Sequence, residues 1–436
     1  MALVCVLEPV SDGLAQMGGG VGGFGGATDP SMVQIVDGYK IIPSISVAQR
    51  YDSNVFLTPE KSGVDASDYV SSLKPQVRGI FAGSGLQLNA VAGGTAEYYV
   101  KNTNFNYMGA NAGLSLNLGS ILDPLWQGMK VTITDTFSYT PVPPAFFVGD
   151  SEGSSTSSQV MYGGPNGIQV GRVSSMSNAL GASLTAPVSQ TVSFTGSYSR
   201  SFFRFGTSQV QQTGLLLNTS SQAYAAGIQT KLSPQDTMSL TYTETSFVYE
   251  QAVGSGFTTR GGIFGWTHLV SPSVSMSTTA GAQVFERGLN SGSSASTTGS
   301  SSSSVVPTAG LGLTWKDQST VLSLNYGLSL LPSYQFDAQP LLTNTVSFSV
   351  RQMMPIPDLI GLLSVNYARG DEFGSASANS ISFSSYGGSG GLLYKITTKT
   401  FLNLNYQYTK FDSQFGVQGF SMDRHIVSLN ITQALY

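Results

Sequence analysis

The stretch from Thr320 to Leu331, Thr-Val-Leu-Ser-Leu-Asn-Tyr-Gly-Leu-Ser-Leu-Leu, constrains the fold more than any other. Leu322, Leu324, Tyr326, Leu328 and Leu330 share one parity; Ser323, Asn325, Gly327 and Ser329 share the other. Successive side chains of an extended strand point to opposite faces, so a period of two gives one apolar and one polar face. The run is longer than the roughly five or six residues of a globular strand. About ten residues of tilted strand cross a bilayer. The stretch therefore reads as one stave of an all-β fold, a closed antiparallel transmembrane barrel.

The rest of the chain repeats the pattern. Ile45 and Val47 oppose Ser44, Ser46 and Arg50, and Leu73, Val77 and Phe81 oppose Lys74, Gln76 and Arg78. Val131, Ile133, Phe137 and Tyr139 oppose Thr132, Thr134, Thr136 and Ser138. Leu402, Leu404, Tyr406 and Tyr408 oppose Asn403, Asn405 and Gln407. Connections alternate between short ones, such as Ser233-Pro234-Gln235-Asp236 and Thr397-Thr398-Lys399, and long polar ones. The longest runs from Pro141 to Gly171; others are Leu289–Ser304, Gly370–Asn379 and Asp412–Phe420. Short periplasmic turns and long external loops mark an outer-membrane barrel, here of about eighteen strands, with sixteen as the alternative count. The barrel is expected over 39–436. Residues 1–38 read as the remnant of an export signal, with a cleavage point after Ala15, followed by the Gly-rich leader Met17–Gly26.

Composition narrows the class. Only 10% of the 436 residues are charged while 41% are hydrophobic, against about 25% charged in a typical soluble domain. No stretch approaches the eighteen or so apolar residues of a membrane helix. An apolar chain without such helices, built of long alternating strands, suits the outer membrane of a Gram-negative bacterium, where a closed sheet pairs every backbone group. A soluble β-solenoid or adhesin would show shorter strands and more charged outer faces. The net charge of −4 and the absence of a basic block leave no case for nucleic acid. Cys5 is the single cysteine, so there is no intrachain disulfide and no thiolate metal site.

Two acids break the pattern. Asp135 falls on the lipid parity between Ile133 and Phe137, where a β-bulge is the favoured relief, with a neutral protonated carboxyl or a subunit contact as alternatives; Glu244 does so near a loop, from which it can reach water. Val427, Leu429 and Ile431 precede a terminal Tyr436, which looks like the signal read by the barrel-insertion machinery. Tyr436 is out of phase with them, which calls for a bulge or a slip near Gln433.

Chemistry-bearing motifs are sparse. His268 and His425 are the two histidines, and neither lies in a recognisable catalytic motif. Each reads as a rim or lumen residue. No cofactor, metal or catalytic site is expected, and the chain does not read as an enzyme. The remaining feature is the lumen. Its parity is dominated by Ser, Thr, Asn, Gln and Gly, with Lys74, Arg78, Glu97, Lys101, Lys130 and Arg351 as candidate constriction charges. A hydroxyl- and amide-rich wall exchanges hydrogen bonds with water and sugars and gives weak ion selectivity. A channel for a hydrophilic solute leads, ahead of a general diffusion porin and of a non-conducting structural or assembly barrel whose external loops bind a ligand. Outer-membrane lipids are the expected surroundings.

At Tyr51–Pro59, Tyr-Asp-Ser-Asn-Val-Phe-Leu-Thr-Pro, and at Leu73-Lys74-Pro75-Gln76-Val77 within Asp68–Gly79, the chain resembles the β-barrel porins often called the beta-barrel porin 2 family. That resemblance implies a barrel over about Tyr39–Tyr436 and association with exopolysaccharide export, including a periplasmic export partner. It implies no catalytic residue.

Overall fold

The computed structural model describes residues 38–56, 65–83, 85–119, 121–140, 174–206, 218–250, 256–287, 303–331, 340–373, 381–415 and 418–435. The leader Met17–Gly26 and the connection Pro141–Gly171 lie outside them. The strands are β1 (Gly38–Asp52), β2 (Asp68–Gly83), β3 (Leu86–Tyr99), β4 (Tyr107–Asn117), β5 (Lys130–Thr140) and β6 (Ser175–Pro187). Then come β7 (Val192–Phe205), β8 (Thr219–Lys231), β9 (Asp236–Tyr249), β10 (Gly256–Ser271), β11 (Val274–Arg287) and β12 (Ser304–Lys316). The last six are β13 (Thr320–Leu331), β14 (Leu341–Met353), β15 (Leu359–Glu372), β16 (Ile381–Lys395), β17 (Thr400–Phe415) and β18 (Gln418–Ala434). Each pairs antiparallel with its sequence neighbours, and β1 pairs with β18, closing one 18-stranded sheet. At about 3.3 Å per residue and a tilt near 40°, a fourteen-residue strand rises roughly 35 Å, enough to cross the hydrocarbon layer.

The register fixes which parity faces lipid. Val47 sits between Leu73 of β2 and Ile431 of β18, and all three are exposed. On β13, Leu324 pairs with Leu313 and Phe348, and Tyr326 with Leu311 and Val346, again exposed. The 12-residue alternation that defines β13 therefore carries Leu322, Leu324, Leu328 and Leu330 outward, while Leu331 at its end is buried on the inward parity. Tyr39, Tyr69, Tyr98, Tyr139 and Tyr394 are exposed close to strand ends, where aromatic rings suit the membrane interface. Trp126, in the β4–β5 connection, donates its indole N–H to the Pro187 carbonyl at 2.6 Å, tying that connection to the β6–β7 turn. The short turns mark the periplasmic end, and the first and last strands both have their outer termini there.

Three local expectations are corrected. β5 runs without a bulge, with Asp135 in register opposite Leu114 and Leu180. Its carboxylate accepts a hydrogen bond from Asn178 Nδ2 at 2.7 Å, a partner two strand positions from Leu180 on the same outer face. Lipid-facing carboxylates still cost free energy, so Asp135→Leu is expected to stabilise the barrel by about 1 kcal/mol in urea unfolding from lipid vesicles. Asn178 would keep its bond to the Thr136 carbonyl at 3.0 Å. Likewise β18 pairs continuously to Gln433 and Ala434 and then ends, so no bulge is needed there; Tyr436 lies outside the described residues. Third, Asp412–Phe420 is mostly strand: β17 and β18 stay paired up to Phe415 and Gln418. Glu244 accepts from the Tyr242 hydroxyl at 3.2 Å and stands in register with Arg260, which pairs with Glu286.

Candidate functional site

The densest polar cluster of the inner wall lies where the sheet closes, at the external ends of β18, β1, β2 and β3. Arg50 and Asp52 are two apart on β1 and so share the inward face. Arg424 of β18 meets Asp52 through two bonds, Nε to Oδ1 at 3.0 Å and Nη2 to Oδ2 at 2.6 Å. Arg50 meets Glu97 of β3 in the same forked manner, at 3.2 and 3.0 Å. Tyr99 donates its hydroxyl to Glu97 at 2.9 Å and accepts from Arg50 at 3.2 Å. Forked arginine–carboxylate pairs fix orientation as well as charge. Asp52 and Asp68 are fully buried and Glu97 nearly so. Asp68 accepts backbone N–H groups of Tyr69, Val100, Lys101 and Asn102 at 2.7 to 3.1 Å, plus the Asn102 side chain. A buried carboxylate so supplied has its lone pairs satisfied.

The Tyr51–Pro59 motif acquires a mechanical meaning here. Beyond Asp52, Ser53 N–H donates to the His425 carbonyl at 2.9 Å, and Ser53 Oγ accepts from the His425 N–H at 2.8 Å. Asn54 Nδ2 donates to the Asp423 carbonyl at 3.3 Å, and Asn54 N–H bonds back to Asp52 at 3.1 Å. Asp52, Ser53 and Asn54 thus fasten the first strand to the last. Val55, Val70 and Tyr99 are buried beside them, with Phe56 and Phe105 in contact.

Elsewhere the inner face is mixed. Hydroxyl pairs cross between strands at Ser46–Thr432, Ser201–Ser221 and Ser364–Ser389, all within 2.8 Å. Towards the external end the inward parity turns apolar, a departure from the polar lumen expected throughout. Tyr249, Phe257, Phe285 and Val306 form a buried cluster on β9 to β12. Phe373, just beyond β15, meets Phe285 of β11 with ring centroids 5.8 Å apart, across the three strands between them.

The six charged residues singled out from the sequence do not converge. Lys74 and Arg78 are inward on β2, opposite Ser46 and Ile42; Glu97 of β3 stands in register with Ser72, one inward position from Lys74 and three from Arg78. Lys74 adds attraction to Glu97, whose direct partner is Arg50. Lys101 lies past β3 in the external connection and donates to Asp65 at 2.8 Å. That bond holds the Asp65 carboxyl well below the usual carboxylate range. Lys130 begins β5 and Arg351 lies near the end of β14, both at the periplasmic end. Arg50, Asp52 and Arg424 were not among the six; the signal for Asp52 was a strand-ending Asp with Asn two residues on, a turn-forming pair.

Both histidines face outward rather than into the lumen. His268 Nδ1 lies 2.8 Å from Asp236 Oδ1, which also accepts the Trp266 indole N–H at 3.1 Å. Ser233 Oγ donates to the other Asp236 oxygen at 2.7 Å. Serine and histidine thus both bond the acid and not each other, which gives no nucleophile–base pair. His425 Nδ1 meets the Tyr406 hydroxyl at 2.9 Å. Among the described residues no cluster of three His, Cys, Asp or Glu could hold a metal ion.

A closed antiparallel barrel with an apolar, tyrosine-rimmed outside and a largely polar inside is an outer-membrane barrel of the Gram-negative type. Among solved structures, OccK2 (OpdF) of Pseudomonas aeruginosa in complex with glucuronate is 10% identical, with 91% of this chain and 99% of that one aligned and a TM-score of 0.48. OccAB4 of Acinetobacter baumannii is 10% identical over 91% and 98% of the two chains, TM-score 0.47. A BenF-like porin of Pseudomonas fluorescens Pf-5 is 11% identical over 91% and 99%, TM-score 0.46. No protein-family model matches the chain, and no curated protein matches its sequence.

Proposed function

We propose that the barrel is a passive outer-membrane channel for hydrophilic solutes, acting as an exopolysaccharide exit or a sugar-permeable porin and not as an enzyme. The observation that carries this reading is the unbroken 18-stranded closure around a wall rich in hydroxyl and amide groups. Sheets of this size enclose an aqueous channel. Lys74, Arg78, Glu97, Lys130 and Arg351 are the wall charges past which solute moves, with Lys101 in the external connection above them. An exit for a polymer would receive it from an export partner in the periplasm.

Liposome swelling with the purified barrel tests this. Swelling in isotonic mono- and disaccharides, slowing as the sugar lengthens, is expected. No swelling with any sugar, from barrels shown to be folded, would remove the reading. A second reading, a non-conducting structural barrel, is favoured by the apolar cluster of Phe257, Phe285 and Phe373 inside the external mouth.

A further inference from the structure

The whole chain carries −4, which by itself gives no reason for the channel to favour anions. The sheet register sorts that charge. Only four acids occupy inward strand positions among the described residues: Asp52, Asp68, Glu97 and Glu372. All four sit at external strand ends. Asp52 and Glu97 are matched by Arg424 and Arg50, and Asp68 is sealed in backbone N–H groups.

The periplasmic ends are the opposite. Inward positions there carry Lys40 on β1, Lys130 on β5, Lys231 on β8, Lys316 on β12, Arg351 on β14 and Lys395 on β16. No described Asp or Glu has an inward position in the periplasmic halves of the strands. The acids of that end lie in turns or face out: Asp123, Asp317, Asp358 and the His268-bonded Asp236. One of them, Asp358, approaches Lys395 at 3.9 Å. Lys130, Lys231, Lys316 and Arg351 are exposed and have no carboxylate within ion-pair distance among the described residues. Arg78 of β2 extends the same sign inward from this end.

We infer that these residues form a basic collar at the periplasmic mouth, that it makes the channel anion-selective, and that the favoured solutes carry carboxylate or other anionic groups. This rests on the channel reading and replaces the weak selectivity expected from the wall chemistry. A low-dielectric wall focuses the field of like charges into the water it encloses. A mean potential of about one kT across the collar enriches chloride and depletes potassium, for a permeability ratio of roughly seven.

The reversal potential of the purified barrel in a planar bilayer, under a tenfold KCl gradient, tests this. Chloride preference is expected, weakening when both baths are raised in salt, since the screening length falls from about 10 Å at 0.1 M to about 3 Å at 1 M. Lys130→Glu, Lys231→Glu, Lys316→Glu and Arg351→Glu together should abolish or invert it. Should that variant not assemble, the four Lys/Arg→Gln changes should still reduce the ratio at least twofold. A wild-type pore that conducts without chloride preference overturns the collar and leaves the channel. A preference unchanged in the neutralised variant overturns it as well. A folded barrel that passes no current overturns the channel reading itself.

Discussion

Asp52→Leu is expected to lower barrel stability by about 3–5 kcal/mol, because it leaves the Arg424 guanidinium in the wall without its carboxylate. Arg424 is only 18% exposed and Asp52 is not exposed at all, so water cannot replace the lost partner cheaply. The same substitution removes the acceptor of the Asn54 N–H and a second neighbour of Arg50, at 3.9 Å. Urea unfolding from lipid vesicles, followed by heat-modifiable gel migration, gives the number. The double variant Asp52→Leu with Arg424→Met should recover much of the loss, since replacing both partners of a buried pair by apolar groups is often near neutral. A single variant as stable as the wild type would mean that the seam is held by its strand hydrogen bonds alone.

Gly261→Val should be comparably damaging. Gly261 is an inward residue of β10 opposite Gln283 of β11. A Cβ added there overlaps the Ala282 carbonyl oxygen and lies 2.6 Å from Gln283 Cα, both backbone atoms that cannot rotate away. The two strands would have to separate in the middle of a closed sheet, at a cost of about 3 kcal/mol or with loss of assembly. Its neighbour Gly262 faces outward and has nothing within 4 Å, so Gly262→Ala is the matched control and should fold normally. Equal yields of folded barrel for the two variants would contradict the close approach of β10 and β11.

Much of the barrel was legible because lipid on one side and water on the other impose the period of two on every strand. Thr320–Leu331 coincides with β13 for that reason. The pattern fades where both faces meet similar surroundings. At their external ends the outward positions of β17 and β18 turn polar, as at Asp412, Ser421 and Asp423, while Phe411 and Met422 are buried on the inward parity, so Asp412–Phe420 read as a loop although its described residues continue the hairpin. Inside the external mouth, Phe257 and Phe285 put apolar groups on the inward parity, where alternation no longer tells lumen from lipid. The Asp52–Arg424 pair was illegible for another reason: its members are 372 residues apart, and only closure of the sheet brings them together. The basic collar is of the same kind, since its residues are spread over six strands and share only an end and a parity. Asp135 shows the limit of a local rule, as its relief comes from Asn178 on the next strand rather than from its own backbone.

The central claim is that the closed sheet encloses a continuous aqueous path, and single-channel recording of the purified wild-type barrel in a planar bilayer tests it most directly. Discrete, steady current steps in 1 M KCl, scaling with salt concentration, are expected. A flat trace from barrels that migrate as folded, in bilayers where a known porin conducts, would contradict the claim and make the molecule a structural barrel.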